Sequence, residues 1–213
     1  MTTFLFVRHG HSLSNAARTF TGQLDVPLSE IGLRQAELAS AYILGNYRVD
    51  AVYASDLCRA AATVRPLADA LGLEIRTEPA FREIHGGAWE GMTMDAIAAA
   101  YPEEYELWLR HIGSSRPTGG ESNDEVLSRA LTRIGELAAE NEGKTVVVAT
   151  HAGVLRTLEC AWRGLPLAEM HSFSYVPNGS TSEVLWDGGR LIPVRTRIDS
   201  YLADCMTNLP SNI

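Results

Sequence analysis

The sequence predicts an α/β fold, a three-layer sandwich with a mostly parallel central sheet, helices on both faces and an antiparallel edge strand. Three observations carry this expectation. Short, apolar, β-rich runs at residues 3–7 (TFLFV), 50–54 (DAVYA) and 145–149 (TVVVA) read as buried strands. Each is followed by a helix-like stretch, the alternation that builds parallel sheets. Two late strand-like segments, 182–186 and 191–195, are joined by Asp187-Gly188-Gly189, which reads as a hairpin at a sheet edge.

The first strand, 3–7, leads into a helix spanning His11 to Arg18 and then a loop through Thr21, Gly22 and Pro27. Ser29 has the chemistry of an N-cap, and Ile31, Leu33, Leu38, Ala41 and Tyr42 give helical spacing up to Gly45. After strand 50–54, a helix is expected from Asp56 to Leu71, with Gly72 as its stop and Pro66 as a candidate kink. Residues 73–76 read as a third strand. From 78 to 120 the pattern changes to a glycine-rich turn (Gly86, Gly87, Gly91) and two short helices, Met94 to Tyr101 and Pro102 to His111. That excursion reads as an inserted helical lid. Ser122-Asn123-Asp124-Glu125 is a capping box, so a helix should run from there to about Asn141. Strand 145–149 is followed by a helix from Val154 to Arg163, the hairpin closes the sheet, and residues 207–213 read as a frayed tail. The expectation is one domain, 1–213, with a lid at about 78–120.

Composition narrows the function classes. A formal net charge of −8 with no basic stripe argues against nucleic acid and anionic membranes as partners. The run Phe4 to Val7 is cut off by Arg8 and His9, too short for a signal-peptide core, and no stretch approaches the roughly 20 apolar residues of a membrane span. Three cysteines, Cys58, Cys160 and Cys205, odd in number and without a CxxC pair, fit a reducing compartment, so the expected location is cytoplasmic.

Two strand ends resemble each other. In FLFVRHGHSLSN (4–15) and VVVATHAGVLRT (146–157) a buried strand is followed by a polar residue, a histidine, a small residue and a helix. His9 and His151 should therefore project from the carboxyl edge of the sheet beside helix N-termini, whose free N–H groups attract anions. SDLCRAAAT (55–63) places Arg59 in the first turn of a helix at that same edge, where ligands of open α/β sheets sit.

Taken together, Arg8-His9-Gly10, Asn15, Ser55-Asp56-Leu57-x-Arg59 and Thr150-His151-Ala152-Gly153 resemble the histidine phosphatase superfamily, also called phosphoglycerate mutase-like, over roughly residues 3–195. The resemblance implies a metal-independent phosphomonoesterase acting through a phosphohistidine, with no cofactor and a small-molecule phosphate ester as substrate. By that analogy His9 is the nucleophile, its other ring nitrogen donating to a fixed acceptor that locks the tautomer. Arg8 and Arg59 grip phosphate oxygens bidentately, and His151, charged when ligand is bound, adds to them beside Ala152. Asn15 donates an uncharged hydrogen bond, and Thr21 and Gly22 line the rim. FREIHGGAWEG (81–91) resembles the family segment carrying the general acid, which maps onto Glu83.

Gly87, Trp89, Glu90 and Gly91, then Pro117-x-Gly119-Gly120-Glu121-Ser122, look like the phosphatase branch. The alternatives are a mutase-type isomerase, for which only Arg110, His111 and Arg116 could hold a second anionic group, and a non-catalytic phospho-ligand module. His11 stands where the family more often has another polar residue, which raises a rival metal site from His9, His11, His151 and His85 or Glu83. Cysteine phosphatase chemistry is excluded, because Val64 and Pro166 stand where an arginine would have to follow Cys58 and Cys160. In the lid, Trp89, Met92, Met94, Tyr101, Tyr105 and Trp108 either form core or touch the leaving group, with core as the default at helical spacing. Homodimerisation through a sheet edge or helix stays open.

Overall fold

The computed structural model describes residues 1–207. The tail expected at 207–213 lies, apart from Thr207, outside the described residues. Six strands form one mixed sheet: β1 (Thr2–Arg8), β2 (Ala51–Ala54), β3 (Ile75–Thr77), β4 (Thr145–Thr150), β5 (Thr181–Asp187) and β6 (Arg190–Ile198), in the order β3-β2-β4-β1-β5-β6. The first four are parallel; the hairpin β5–β6 adds antiparallel to β1. β4 thus returns to the middle of the sheet and lies directly beside β1, in a register that pairs Arg8 with Thr150. This adjacency brings the two matching strand ends side by side.

Residues alternate between the sheet faces, and each face has its own core. Phe4, Phe6, Val146 and Val148 pack with α6 (Asn123–Glu140) and α7 (Ala152–Arg163), while Leu5, Val7, Val147 and Ala149 pack with α2 (Glu30–Asn46) and α3 (Cys58–Leu71). The excursion at 78–120 contains α4 (Met94–Ala100) and α5 (Pro102–His111). Its Trp89, Ile97, Trp108 and Ile112 belong to the first of these cores.

Several boundaries differ from the sequence reading. The first helix, α1, is only Leu13–Ala17, because Ser12 is extended and caps it, exchanging hydrogen bonds with Asn15 in a capping box. α3 begins at Cys58 rather than Asp56, and its first N–H is capped from a distance, Cys58 N donating to Asp25 Oδ1 at 2.7 Å. The helix continues through Pro66. α7 starts at Ala152 rather than Val154, and β3 lies at 75–77 rather than 73–76. Two 3-10 segments, Leu167–Ser172 and Ser200–Cys205, carry no periodic signal in the sequence. Among the described residues no helix is long and apolar enough to cross a membrane.

Candidate active site

His9 sits one residue beyond β1, pinned on both sides. Its N–H donates to Thr150 O at 2.8 Å, and its carbonyl accepts from Asn178 Nδ2 at 3.0 Å and Gly179 N at 3.3 Å. Its Nδ1 lies 2.7 Å from Gly10 O, a contact that holds only with the proton on Nδ1. The Nε2 lone pair is thereby left for attack on an electrophile. Gly10 is held in turn: its N–H donates to Thr63 Oγ1 at 2.9 Å, and that hydroxyl donates to Arg59 O at 2.7 Å. One hydroxyl on α3 therefore couples the carbonyl that sets the His9 tautomer to the backbone of Arg59.

Arg59 is 1% exposed, with Nη1 donating to Leu24 O at 2.7 Å and Nη2 to Gly22 O at 2.8 Å. Its Nε has no partner, and neither does the Nε of Arg8, whose Nη1 donates to Val176 O. Gly22 adopts φ +51°, and a Cβ there would fall 2.2 Å from the Glu90 carboxylate, so only glycine fits this loop. That carboxylate binds Gln23 N at 2.8 Å and Gly86 N at 2.9 Å, joining the loop to the segment after Glu83.

His151 occupies the N-cap position of α7 and is 0% exposed, with neither ring nitrogen hydrogen-bonded. Its ring centroid lies 5.1 Å from that of His9. It stands beside the nucleophile candidate, not on the cavity wall. The Glu83 carboxylate accepts from Gly153 N at 3.0 and 3.2 Å and from Ile84 N at 2.9 Å, covering the N-terminus of α7. A Cβ on Gly153 would meet Glu83 Oε1 at 2.3 Å. Asn15, on the cavity wall, accepts at Oδ1 from Ser12 N at 3.0 Å, and Thr21 Oγ1 donates to Ser14 Oγ at 2.7 Å.

Arg8, His9, Asn15, Thr21, Gly22, Arg59, Glu83 and Ala152 line one cavity of about 690 Å³. Among the described residues, no group of three or more His, Cys, Asp or Glu side chains is arranged to hold a metal ion. His11 directs Nδ1 to Ser29 Oγ at 2.9 Å, and His85 faces Glu90. Arg110, His111 and Arg116 lie off the cavity wall; Arg110 pairs with Glu106 and Arg116 with Glu125.

Among the wall residues that sequence reasoning missed are Arg156, Tyr175 and Asn178. Arg156 had a usable signal: it follows Ala152 by four residues, on the same face of an otherwise apolar helix turn. Tyr175 and Asn178 lie in irregular chain, where no periodicity marks them. Tyr175 lies between two guanidinium groups, that of Arg156 at 4.4 Å from its ring centroid and that of Arg8 at 5.9 Å. The same segment is tied down by Arg197, which donates to Ser174 O at 2.7 Å and to the fully buried Glu159 at 2.8 Å.

Burial first, then the positive charges of Arg59 and Arg8, holds the pKa of His9 well below the usual imidazole value. His151 is likewise held well below the usual value, again by burial first and then by Arg59. Burial also lowers Arg8, to about 10. Both histidines are therefore neutral at pH 7, and in the folded protein they resist protonation as the pH falls. The unfolded chain takes up those protons near pH 6.5, so this part of the stability is present above that value and is lost below it. Denaturant unfolding of the free protein should show stability roughly 1 to 3 kcal/mol lower at pH 5.5 than at pH 7.5, from a slope of up to about 1.4 kcal/mol per pH unit for each group. Equal stability at the two pH values would contradict buried neutral histidines.

Comparison with known proteins places the chain as a whole in a family. A family model described as histidine phosphatase superfamily (branch 1) matches residues 4–199. The chain is 31% identical over 204 residues, 96% of each protein, to phosphoserine phosphatase 1 of Hydrogenobacter thermophilus. Among solved structures it resembles Bacillus stearothermophilus YhfR, with a TM-score of 0.90, 30% identity and coverage of 95% of this chain and 100% of that one. It also resembles a mycobacterial glucosyl-3-phosphoglycerate phosphatase in complex with VO3, with a TM-score of 0.83, 30% identity and coverage of 92% and 98%.

Proposed function

The chain belongs to branch 1 of the histidine phosphatase superfamily and is a phosphoric monoester hydrolase; from that premise we propose that it works without a metal, through a phosphohistidine on His9, on a small phosphorylated metabolite. The observation that carries this reading is the 2.7 Å contact of His9 Nδ1 with Gly10 O, which leaves Nε2 unprotonated on the cavity wall between two arginines.

In the first step Nε2 attacks phosphorus, the N–P bond forms as the ester P–O bond breaks, and the electron pair leaves on the alcohol oxygen. Charge on the equatorial oxygens is met by Arg8 and Arg59, whose Nε groups lack protein partners, and by the Asn15 amide. His151, fully buried and without a hydrogen-bond partner on either ring nitrogen, becomes an additional donor when a dianion raises its proton affinity. Glu83, seated over the α7 N-terminus on the same wall, gives the departing oxygen its proton. As a carboxylate it then takes a proton from the water that attacks the phosphohistidine, releasing phosphate and restoring His9.

Residues 78–120 act as a lid in this reading, since Met94, Tyr105 and Trp108 reach the cavity wall. Hydrolysis is favoured over phosphoryl transfer between substrate positions because Arg110, His111 and Arg116 are directed elsewhere. Location in the cytoplasm is part of the proposal, supported by three free cysteines.

The test has two readings. Hydrolysis of 4-nitrophenyl phosphate should be unaffected by a strong chelator, and quenching in alkaline detergent during turnover of a ³²P-labelled ester should trap base-stable label on the protein that is released by acid. Loss of activity with chelator, or label that is acid-stable, would overturn the mechanism.

A further inference from the structure

The cavity extends well beyond the space a phosphoryl group fills. Its apolar wall is formed by Phe20, Met94, Tyr105, Trp108, Ile112 and Met170, side chains brought together from the loop after α1, the lid and the 3-10 segment after α7. Trp108, Ile112 and Met170 are buried, and Phe20 packs edge-on against Trp108 at 5.5 Å, so this wall is preformed. We propose that this wall forms the leaving-group site and that it selects phosphate monoesters of uncharged, largely apolar alcohols, with Met94 and Tyr105 setting the selectivity. The inference deepens the phosphomonoesterase reading above and rests on it.

Charge and hydrogen bonding support it. The charges of Arg8 and Arg59 act on His9, and the Glu83 carboxylate accepts from Gly153 N at the start of α7, so these three belong to the phosphoryl end. Arg18 and Asp95, both exposed on the wall, are of opposite sign. At the apolar end the Trp108 indole N–H is buried without a hydrogen-bond partner and can serve one polar atom of the alcohol, while other polar side chains are engaged. Asn123 donates Nδ2 to Ile112 O at 2.7 Å, and Arg156 donates to Met170 O at 2.7 Å while lying on the Tyr175 ring. A polyhydroxylated or carboxylated alcohol would turn its polar groups toward hydrocarbon and lose the hydrogen bonds it made in water. An apolar alcohol gains by the same burial.

The test compares kcat/KM for 2-phenylethyl phosphate and 2-hydroxyethyl phosphate, whose alcohols are similar in acidity, so that chemistry at phosphorus is matched. The expected preference for the phenyl ester is roughly tenfold or more, the scale at which a hydrophobic pocket discriminates. Met94→Ser, at the start of α4, and Met94→Ser combined with Tyr105→Ser should progressively reduce that ratio, with the double variant within about threefold of unity. A ratio is unaffected by partial loss of active protein. Equal turnover of the two esters by the wild type, or preference for the hydroxyethyl ester, overturns the inference and leaves the phosphatase reading standing. Failure to release phosphate from these esters and from 4-nitrophenyl phosphate overturns the underlying reading instead.

Discussion

His9→Ala is expected to lower kcat for every phosphate ester by roughly 10⁴-fold or more, the scale seen when a covalent nucleophile is removed. The effect is this large because the Nδ1 contact with Gly10 O leaves the His9 Nε2 lone pair for attack, whereas His11, on the same wall, directs its Nδ1 to Ser29 Oγ. His151 is close, its ring 5.1 Å from that of His9, but it is fully buried and off the cavity wall. The fold should survive, since the backbone contacts of residue 9 to Thr150, Asn178 and Gly179 do not involve the imidazole. Far-UV circular dichroism and binding of orthovanadate distinguish a missing nucleophile from a collapsed site: Arg8, Arg59 and Asn15 remain to hold the anion. Turnover within tenfold of wild type in a folded His9→Ala protein would remove His9 as the nucleophile.

Glu83→Gln has the second largest expected effect, and its size depends on the leaving group. Glutamine keeps a carbonyl oxygen that can accept from Gly153 N and Ile84 N, so the carboxylate's structural role over α7 is largely retained. What is lost is the proton. Alkyl phosphates, whose alcohols leave poorly as anions, should slow by roughly 10² to 10⁴-fold, the usual contribution of a general acid. 4-Nitrophenolate leaves without protonation, so its pre-steady-state release should fall by less than about tenfold. Steady-state turnover of the aryl ester should then show a burst, because the second step still requires a base for water. Equal losses in the first step for aryl and alkyl esters would contradict the acid role.

Much of the fold was legible because local chemistry decides it. The Ser122–Glu125 capping box fixes the start of α6, apolar runs mark β1, β2 and β4, and Gly188-Gly189 forms the turn between β5 and β6. Boundaries shifted where a distant group supplied the cap. Asp25 takes the first N–H of α3, and Glu83 takes that of Gly153 on α7, so neither start is written in the residues around it. The candidate site was legible for the same reason in part: Arg8 is the last residue of β1, His9 and His151 directly follow β1 and β4, and their positions follow from where those strands end.

By itself, then, the sequence determined which strands end in histidine and arginine, that these ends lie at the carboxyl edge of a mostly parallel sheet, and which residue types could carry phosphoryl chemistry. Only the tertiary structure decided that β4 returns beside β1, which sets the two imidazoles 5.1 Å apart and buries both between arginines. It alone also separated Met94, Tyr105 and Trp108, on the cavity wall, from Trp89, Met92 and Tyr101, which lie off it, and added Arg156, Tyr175 and Asn178. The physical reason is range. Strand ends, caps and turns are set by contacts within a few residues, whereas desolvation, the choice of tautomer and the identity of a cavity wall depend on groups brought together from more than a hundred residues apart, which no local pattern records.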